Sequence, residues 1–202
     1  GNYIGTWDMF PSDRFIGAHG LTLVDEIDGQ QYLWLTDEMS GEVGKFTLDG
    51  QKVQDITRPD HPAYEEKPFK PTWVATSPKD GTIFVADGYG AHLVHRHDRD
   101  GNYLDSFDGS TGAGRFACPH GIWIGIREQV GMSEDAMVYI TDRGNSRVQI
   151  FDLDMNFVKQ YEQKHPCSFA RLGETMLVPD LHGFVALRDA SDNIIGELGT
   201  NP

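Results

Sequence analysis

Two histidine-glycine pairs hold equivalent positions in two copies of a repeated sequence unit. They are His19-Gly20 and His120-Gly121, and each pair opens its copy. Glycine lets the backbone pack closely at such a point. Imidazoles that converge on one place suit a borderline-soft divalent ion, zinc first, and a catalytic zinc takes about three protein ligands and leaves one position open. We therefore expect His19 and His120 to be zinc ligands; the alternative is that each is a hydrogen-bonded structural residue.

The repeat that carries these pairs is present four times. In each copy an apolar segment ends in an aspartate, and a turn aspartate follows 12 or 13 residues later. The pairs are Asp37 and Asp49, Asp87 and Asp100, Asp142 and Asp154, and Asp180 and Asp192. Because the first aspartate recurs in every copy, we expect it to cap a turn through backbone N–H groups.

Each copy divides into four short segments rich in β-branched and aromatic residues, separated by turns such as Asp49-Gly50 and Asp100-Gly101. Segments this short and regular favour strands over helices. A repeated antiparallel unit of four strands and about 40–50 residues is typical of a β-propeller blade. We predict an all-β propeller over residues 1–202, with blades at 19–56, 70–107, 116–161 and 165–198.

The first ten residues resemble the last segment of the second copy, since Gly1-Asn2-Tyr3 matches Gly101-Asn102-Tyr103. We therefore predict that residues 1–10 form the outer strand of a preceding blade. Four blades and a spare strand do not close an ordinary ring. The sequence thus predicts part of a six-bladed ring, or an open wedge whose edges pair with another copy.

Composition excludes several classes of partner. The net charge is −14 over 202 residues, which repels nucleic-acid phosphates and anionic lipid headgroups. We expect no nucleic-acid partner and no membrane partner, because no apolar run has the length of a membrane span. Cys118 and Cys167 do not make a disulfide framework. Nothing in the sequence identifies the compartment.

Tyr89 and Arg143 follow the second segments of consecutive copies, in loops of the kind that carry binding residues. A phenol acts as a base near neutral pH when a nearby cation stabilises the phenolate, and Arg143 could supply that charge. We predict that Tyr89 moves a proton and that Arg143 steadies negative charge. The alternative is that Tyr89 only packs and that Arg143 pairs with Asp142.

Two further residues are predicted to contact a substrate. Trp73 opens the second copy and could stack on a ligand in the channel, with core packing as the alternative. His182 is out of register with His19 and could reach the channel mouth from a loop. By contrast, His95 and His97 alternate along one segment among charged residues, which indicates a solvated face without a site.

The sequence also resembles known families. Residues 140–152 are similar to the NHL-repeat motif, which builds propellers of five or six blades. Pro119-His120-Gly121 and residues 87–90 and 142–145, with Pro71-Thr72, resemble the peptidyl-α-hydroxyglycine α-amidating lyases. That resemblance implies six blades around a zinc held by three histidines from alternate blades, with a tyrosine base and arginines near the substrate.

Carried over by position, the resemblance implies His19 and His120 as zinc ligands, Tyr89 as the base and Arg143 as the arginine beside it. A third histidine would open a fifth copy, beyond Pro202. We expect a zinc-binding propeller that performs lyase or hydrolase chemistry on a small polar or carboxylated substrate in its channel. A calcium ion is a candidate structural cofactor. The alternative is a non-catalytic propeller that binds protein or carbohydrate over its loop face.

Overall fold

The structure, a computed structural model, describes residues 2–3, 5–7, 17–125 and 136–199. These residues form four antiparallel four-stranded sheets in which neighbouring strands follow chain order. Blade 1 contains β1 (Ala18–Asp25), β2 (Gln31–Asp37), β3 (Glu42–Thr47) and β4 (Lys52–Ile56). Blade 2 contains β5 (Trp73–Thr76), β6 (Ile83–Asp87), β7 (Leu93–His97) and β8 (Tyr103–Phe107).

Blade 3 contains β9 (Pro119–Gly125), β10 (Met137–Asp142), β11 (Arg147–Phe151) and β12 (Phe157–Glu162). Blade 4 contains β13 (Ala170–Leu172), β14 (Thr175–Pro179), β15 (Val185–Arg188) and β16 (Ile194–Leu198). Two short 3-10 helices, Pro62–Glu65 and Arg143–Asn145, are the only helices in the described ranges, and neither could span a membrane. The predicted all-β propeller of four-stranded blades is confirmed.

Apolar clusters between consecutive blades fix their relative positions. Trp34 and Val43 of blade 1 pack with Val74 and Val85 of blade 2. A second cluster joins blades 2 and 3, with Phe84, Val94, Ile122, Val138 and Phe151 among its members. Since β1 also contacts β5, and β5 contacts β9, the first strands of these blades lie side by side. A cavity of about 250 Å³ opens along them.

Asp37 and Asp180 cap their turns through backbone N–H groups, as predicted, whereas Asp142 differs. Asp37 Oδ1 accepts hydrogen bonds from the N–H groups of Met39 and Ser40 at 2.9 Å each. Asp142 instead reaches out of its own turn, because its Oδ1 accepts from Ala117 N at 2.7 Å and its Oδ2 accepts from Arg147 Nε at 2.7 Å.

The predicted solvated face at His95 and His97 is wrong. Their relative exposures are 0% and 1%. His95 Nε2 lies 2.5 Å from Tyr64 Oη, and Tyr64 belongs to the segment between blades 1 and 2. Charged neighbours in the sequence did not predict this burial, because Arg96 points to the opposite face of β7 and pairs with Asp105.

Half of the predicted outer strand 1–10 lies outside the described residues. Of its described part, residues 2–3 and 5–7 are not in a strand. The Trp7 indole lies against Gly50 in the β3–β4 turn. The described residues contain four blades, whereas the resemblance implies six. Edge-to-edge pairing between copies stays a prediction.

Candidate active site in the channel

The two histidines lie at matching irregularities in the strand pairing. In blade 1 the register passes from Ala18↔Asp37 to Leu21↔Leu35, so the strand gains one residue at His19-Gly20. Blade 3 has the same shift, from Pro119↔Asp142 to Ile122↔Ile140. A bulge of this kind bends the strand and re-aims its side chains.

Each imidazole is held by a backbone carbonyl of the next blade. His19 Nδ1 lies 2.8 Å from Thr72 O, and His120 Nδ1 lies 2.7 Å from Cys167 O. A carbonyl oxygen can only accept, so Nδ1 carries the proton in both rings. In a neutral imidazole this leaves the lone pair on Nε2.

Both Nε2 atoms meet the hydroxyl of Tyr89. The distance from Tyr89 Oη is 3.2 Å to His19 Nε2 and 3.0 Å to His120 Nε2. The two imidazole centroids are 4.7 Å apart. Tyr89 comes from the β6–β7 loop of the intervening blade and keeps 36% of its surface exposed. The phenol has one proton, so it donates to one of the two Nε2 atoms at a time, and it remains open to a solute.

Arg143 completes the cluster from blade 3. Its Nη1 donates to Tyr89 Oη at 3.2 Å, and the guanidinium carbon lies 5.2 Å from the Tyr89 ring centre. Arg143 follows Asp142, but that carboxylate pairs with Arg147 at 2.7 Å. The guanidinium of Arg143 is thus directed toward the phenol.

Burial keeps the channel histidine of blade 3 neutral near pH 7. Desolvation lowers the pKa of His120 to about 4; its bond to Cys167 O opposes this shift, and the Arg143 charge adds to it. The Nε2 lone pair is therefore available as a ligand or an acceptor. The nearby thiols Cys118 and Cys167 form no disulfide, and burial raises the pKa of each.

The structure thus brings together four of the six predicted site residues: His19, Tyr89, His120 and Arg143. Trp73 packs against the apolar cluster of blades 2 and 3. His182 is exposed, and its Nε2 lies 3.2 Å from Nδ1 of His165. Substrate-binding roles for Trp73 and His182 stay predictions.

Sequence reasoning did not single out three residues of this region: His165, Thr36 and Thr141. The threonine hydroxyls accept the N–H of Gly20 and Gly121, at 2.8 and 2.6 Å. The signal was present in the sequence, because a threonine precedes the recurring aspartate only in the two copies that open with His-Gly.

Two imidazole lone pairs directed at one point fit a borderline-soft divalent ion such as zinc. In the ranges that the structure describes, no group of three or more His, Cys, Asp or Glu side chains is placed to hold a metal ion. Zinc binding by His19 and His120 therefore stays a prediction. A structural calcium ion stays a prediction.

Several proteins of known name are similar in sequence to this chain. No protein-family model matches the chain, and the NHL motif stays a prediction. The chain is 30% identical over 200 residues to a probable peptidyl-α-hydroxyglycine α-amidating lyase of Caenorhabditis elegans, covering 96% of this chain and 51% of that protein. It is 29% identical over 160 residues to peptidyl-glycine α-amidating monooxygenase A of Xenopus laevis, covering 74% and 16%. The chain therefore spans about half the length of the worm relative and a smaller part of the frog protein.

Solved structures agree on the fold. Virginiamycin B lyase from Staphylococcus aureus superposes with a TM-score of 0.62 at 16% identity, over 94% of this chain and 57% of that chain. Hydrazine synthase from Kuenenia stuttgartiensis gives a TM-score of 0.61 at 14% identity, over 98% and 53%. At these identities the likeness concerns architecture alone. Sequence and architecture together make the chain a β-propeller homologous to the peptidyl-α-hydroxyglycine α-amidating lyases.

Proposed function

We propose that the protein cleaves the C–N bond of an N-acyl-α-hydroxyglycine, releasing a primary amide and glyoxylate. The observation that carries this proposal is the position of Tyr89 Oη, within 3.2 Å of His19 Nε2, His120 Nε2 and Arg143 Nη1. An exposed phenol among two imidazoles and a cation is equipped to move a proton and to bind an anion. The homologous lyases are named for this substrate class.

The substrate carries a hydroxyl, an amide nitrogen and a carboxylate on one carbon. Tyr89, as phenolate, takes the hydroxyl proton, and the oxygen lone pair forms the carbonyl of glyoxylate. The C–N bond breaks and its electron pair goes to the amide nitrogen. The proton on Tyr89 then passes to that nitrogen, so atoms and charge balance.

Arg143 supports this step in two ways. Its cation beside Tyr89 Oη stabilises the phenolate that acts as base. A guanidinium has five N–H donors, so Arg143 can bond the phenol through Nη1 and still offer donors to a carboxylate. In a chain of net charge −14, this local positive charge is what an anionic substrate would find in the channel.

His19 and His120 would hold a zinc ion through Nε2, since their Nδ1 atoms are committed to Thr72 O and Cys167 O. When bound, the ion supplies Lewis acidity to an oxygen of the substrate. The carbonyls that accept from Nδ1 fix the ring orientation and the tautomer of both ligands.

The test is turnover of N-benzoyl-α-hydroxyglycine, with benzamide and glyoxylate measured separately. The chain is assayed as purified, after chelation, and after zinc is restored. We expect both products in equal amounts, loss of turnover on chelation, and recovery with zinc. Absence of turnover in zinc-loaded, folded protein would overturn the proposal in favour of a non-catalytic binding propeller. Equal turnover by Tyr89→Phe and by the unchanged protein would remove Tyr89 as the base.

A further inference from the structure

The bulges that carry the two histidines share a feature outside the proposed catalytic set. In blade 1, His19 and Gly20 together oppose the single residue Thr36 on β2. In blade 3, His120 and Gly121 oppose Thr141 on β10 in the same way. Each bulge therefore leaves one residue without a regular ladder partner.

In each bulge a threonine hydroxyl accepts a hydrogen bond from the backbone N–H of the glycine. Thr36 Oγ1 accepts from Gly20 N at 2.8 Å, and Thr141 Oγ1 accepts from Gly121 N at 2.6 Å. The two threonines are 1% and 0% exposed. No water reaches such a site readily, and a buried N–H without a partner costs about 1–3 kcal/mol.

The threonine is present only where the histidine is present. The equivalent position before the recurring aspartate is Ala86 in blade 2 and Pro179 in blade 4. Blade 2 has Thr72 in place of the histidine and Trp73 in place of the glycine, and its regular β5–β6 ladder begins only at Trp73↔Ala86. The threonine thus accompanies the His-Gly pair and not the blade as such.

The glycine of each bulge also lies against the carbonyl that orients the neighbouring imidazole. A Cβ on Gly20 would lie 2.6 Å from Thr72 O and 2.8 Å from Thr36 Oγ1. A Cβ on Gly121 would lie 2.6 Å from Cys167 O. Thr72 O and Cys167 O are the acceptors for His19 Nδ1 and His120 Nδ1. The glycine is therefore clamped between the threonine and the carbonyl of the next blade.

We propose that Thr36 and Thr141 are positioning residues, whose hydroxyls lock the His-Gly bulges so that the Nε2 lone pairs of His19 and His120 face Tyr89. Their expected effect on zinc rests on the proposed function, whereas their effect on the imidazoles does not. Each hydroxyl accepts a hydrogen bond from the glycine N–H, which a methyl group of similar size cannot do.

The variants are Thr36→Val and Thr141→Val, which keep the side-chain shape, and Thr36→Ser and Thr141→Ser, which keep the hydroxyl. Thr76→Val is the matched control, because the Thr76 hydroxyl is buried on β5 without a hydrogen-bond partner in the described structure. The first readout is the imidazole tautomer, from ¹⁵N–¹H NMR of histidine-labelled protein without metal. The second is zinc affinity by competition with a chelating dye.

We expect His19 and His120 to be Nδ1–H tautomers in the unchanged protein. Each valine variant should mix the tautomers of its own histidine and weaken zinc binding by about 10–100-fold, the range for loss of an orienting partner. The serine variants and Thr76→Val should match the unchanged protein. Unchanged tautomers in folded Thr36→Val and Thr141→Val would overturn the inference, as would equal changes in Thr76→Val.

The measurements distinguish a failure of the proposed function from a failure of the positioning role of Thr36 and Thr141. If the unchanged protein binds no zinc, the proposed function loses its metal, and the tautomers still decide the role of the threonines. If zinc binds and the valine variants keep both the tautomer and the affinity, only the positioning role is lost. The two positions are scored independently, so one valine variant that does not fold leaves the other to decide.

Discussion

The hydroxyl of Tyr89 lies 3.0 Å from Nε2 of His120, across a blade boundary and 31 positions along the chain. The same oxygen lies 3.2 Å from Nε2 of His19, in the blade on the other side. Tyr89 thus occupies the point where the imidazoles of blades 1 and 3 converge. The phenol and a metal ion would both use the Nε2 lone pairs of His19 and His120. Substitution of Tyr89 can therefore distinguish the role of the phenol from that of the metal.

Replacing Tyr89 by Phe should separate proton transfer from metal binding. Tyr89→Phe removes the shared hydroxyl and leaves both Nε2 lone pairs free, so zinc affinity should not fall. Turnover of N-benzoyl-α-hydroxyglycine should drop by about 10²–10⁴-fold in kcat, the usual contribution of a positioned base. Tyr103→Phe, on the exposed outer strand β8, is the control and should retain full kcat. A Tyr89→Phe protein that lost zinc instead would identify Tyr89 as a ligand.

Removal of both channel imidazoles should abolish metal binding. His19→Ala with His120→Ala deletes the two donors whose Nε2 atoms face Tyr89, and the zinc content after dialysis should fall to the background of the buffer. Metal analysis by mass spectrometry measures this directly. The control is His61→Asn, which replaces a histidine that caps a 3-10 helix through Nδ1. Stoichiometric zinc retained by the double variant would place the metal elsewhere.

Stability should fall in mild acid because of the buried histidines of β7. Burial lowers the pKa of His95 to about 3 and that of His97 to about 4. Both values lie below the ordinary value near 6.5, so the unfolded chain takes up protons first. The two histidines therefore make their full contribution to the free energy of unfolding above about pH 6.5. That contribution is lost as the pH falls toward 4.

The slope should approach about 1.4 kcal/mol per pH unit for each proton taken up. Urea unfolding followed by tryptophan fluorescence between pH 7 and about pH 4.5 measures it. His97→Phe should remove one proton from the slope, because both ring nitrogens of His97 lack a partner in the described structure and its ring packs 5.7 Å from Tyr103. An unchanged slope in His97→Phe would show that His97 titrates normally.

Asp142 should be more costly to remove than Asp180. Its fully buried carboxylate pairs with Arg147, whose side chain is 15% exposed. Asp142→Ala would leave that guanidinium without its counter-ion, at a cost of about 3–5 kcal/mol in the free energy of unfolding. Asp180→Ala removes an acceptor for two backbone N–H groups, from His182 and Phe184, and should cost about 1–3 kcal/mol. Equal losses in the two variants would contradict this ranking.

The strands were readable from sequence because their signals are local. Short segments rich in β-branched and aromatic residues, separated by turn residues, predicted four strands in every blade, and each observed blade begins and ends within about five residues of its predicted range. The turn role of Asp37 followed from its repetition alone. His95 and His97 were misread, since a strand's neighbours across the blade interface are not visible in its own sequence.

The sequence by itself determined the repeat, the blade architecture and the alternation of His19 and His120 between copies, since each depends on residues close together in the chain. Only the tertiary structure decided that Tyr89 meets both histidines and Arg143, and that Thr36 and Thr141 lie behind the histidines. These contacts depend on how consecutive blades pack and on a one-residue bulge in β1 and in β9. Such a bulge reverses the facing of a side chain without changing the pattern of residues that surrounds it.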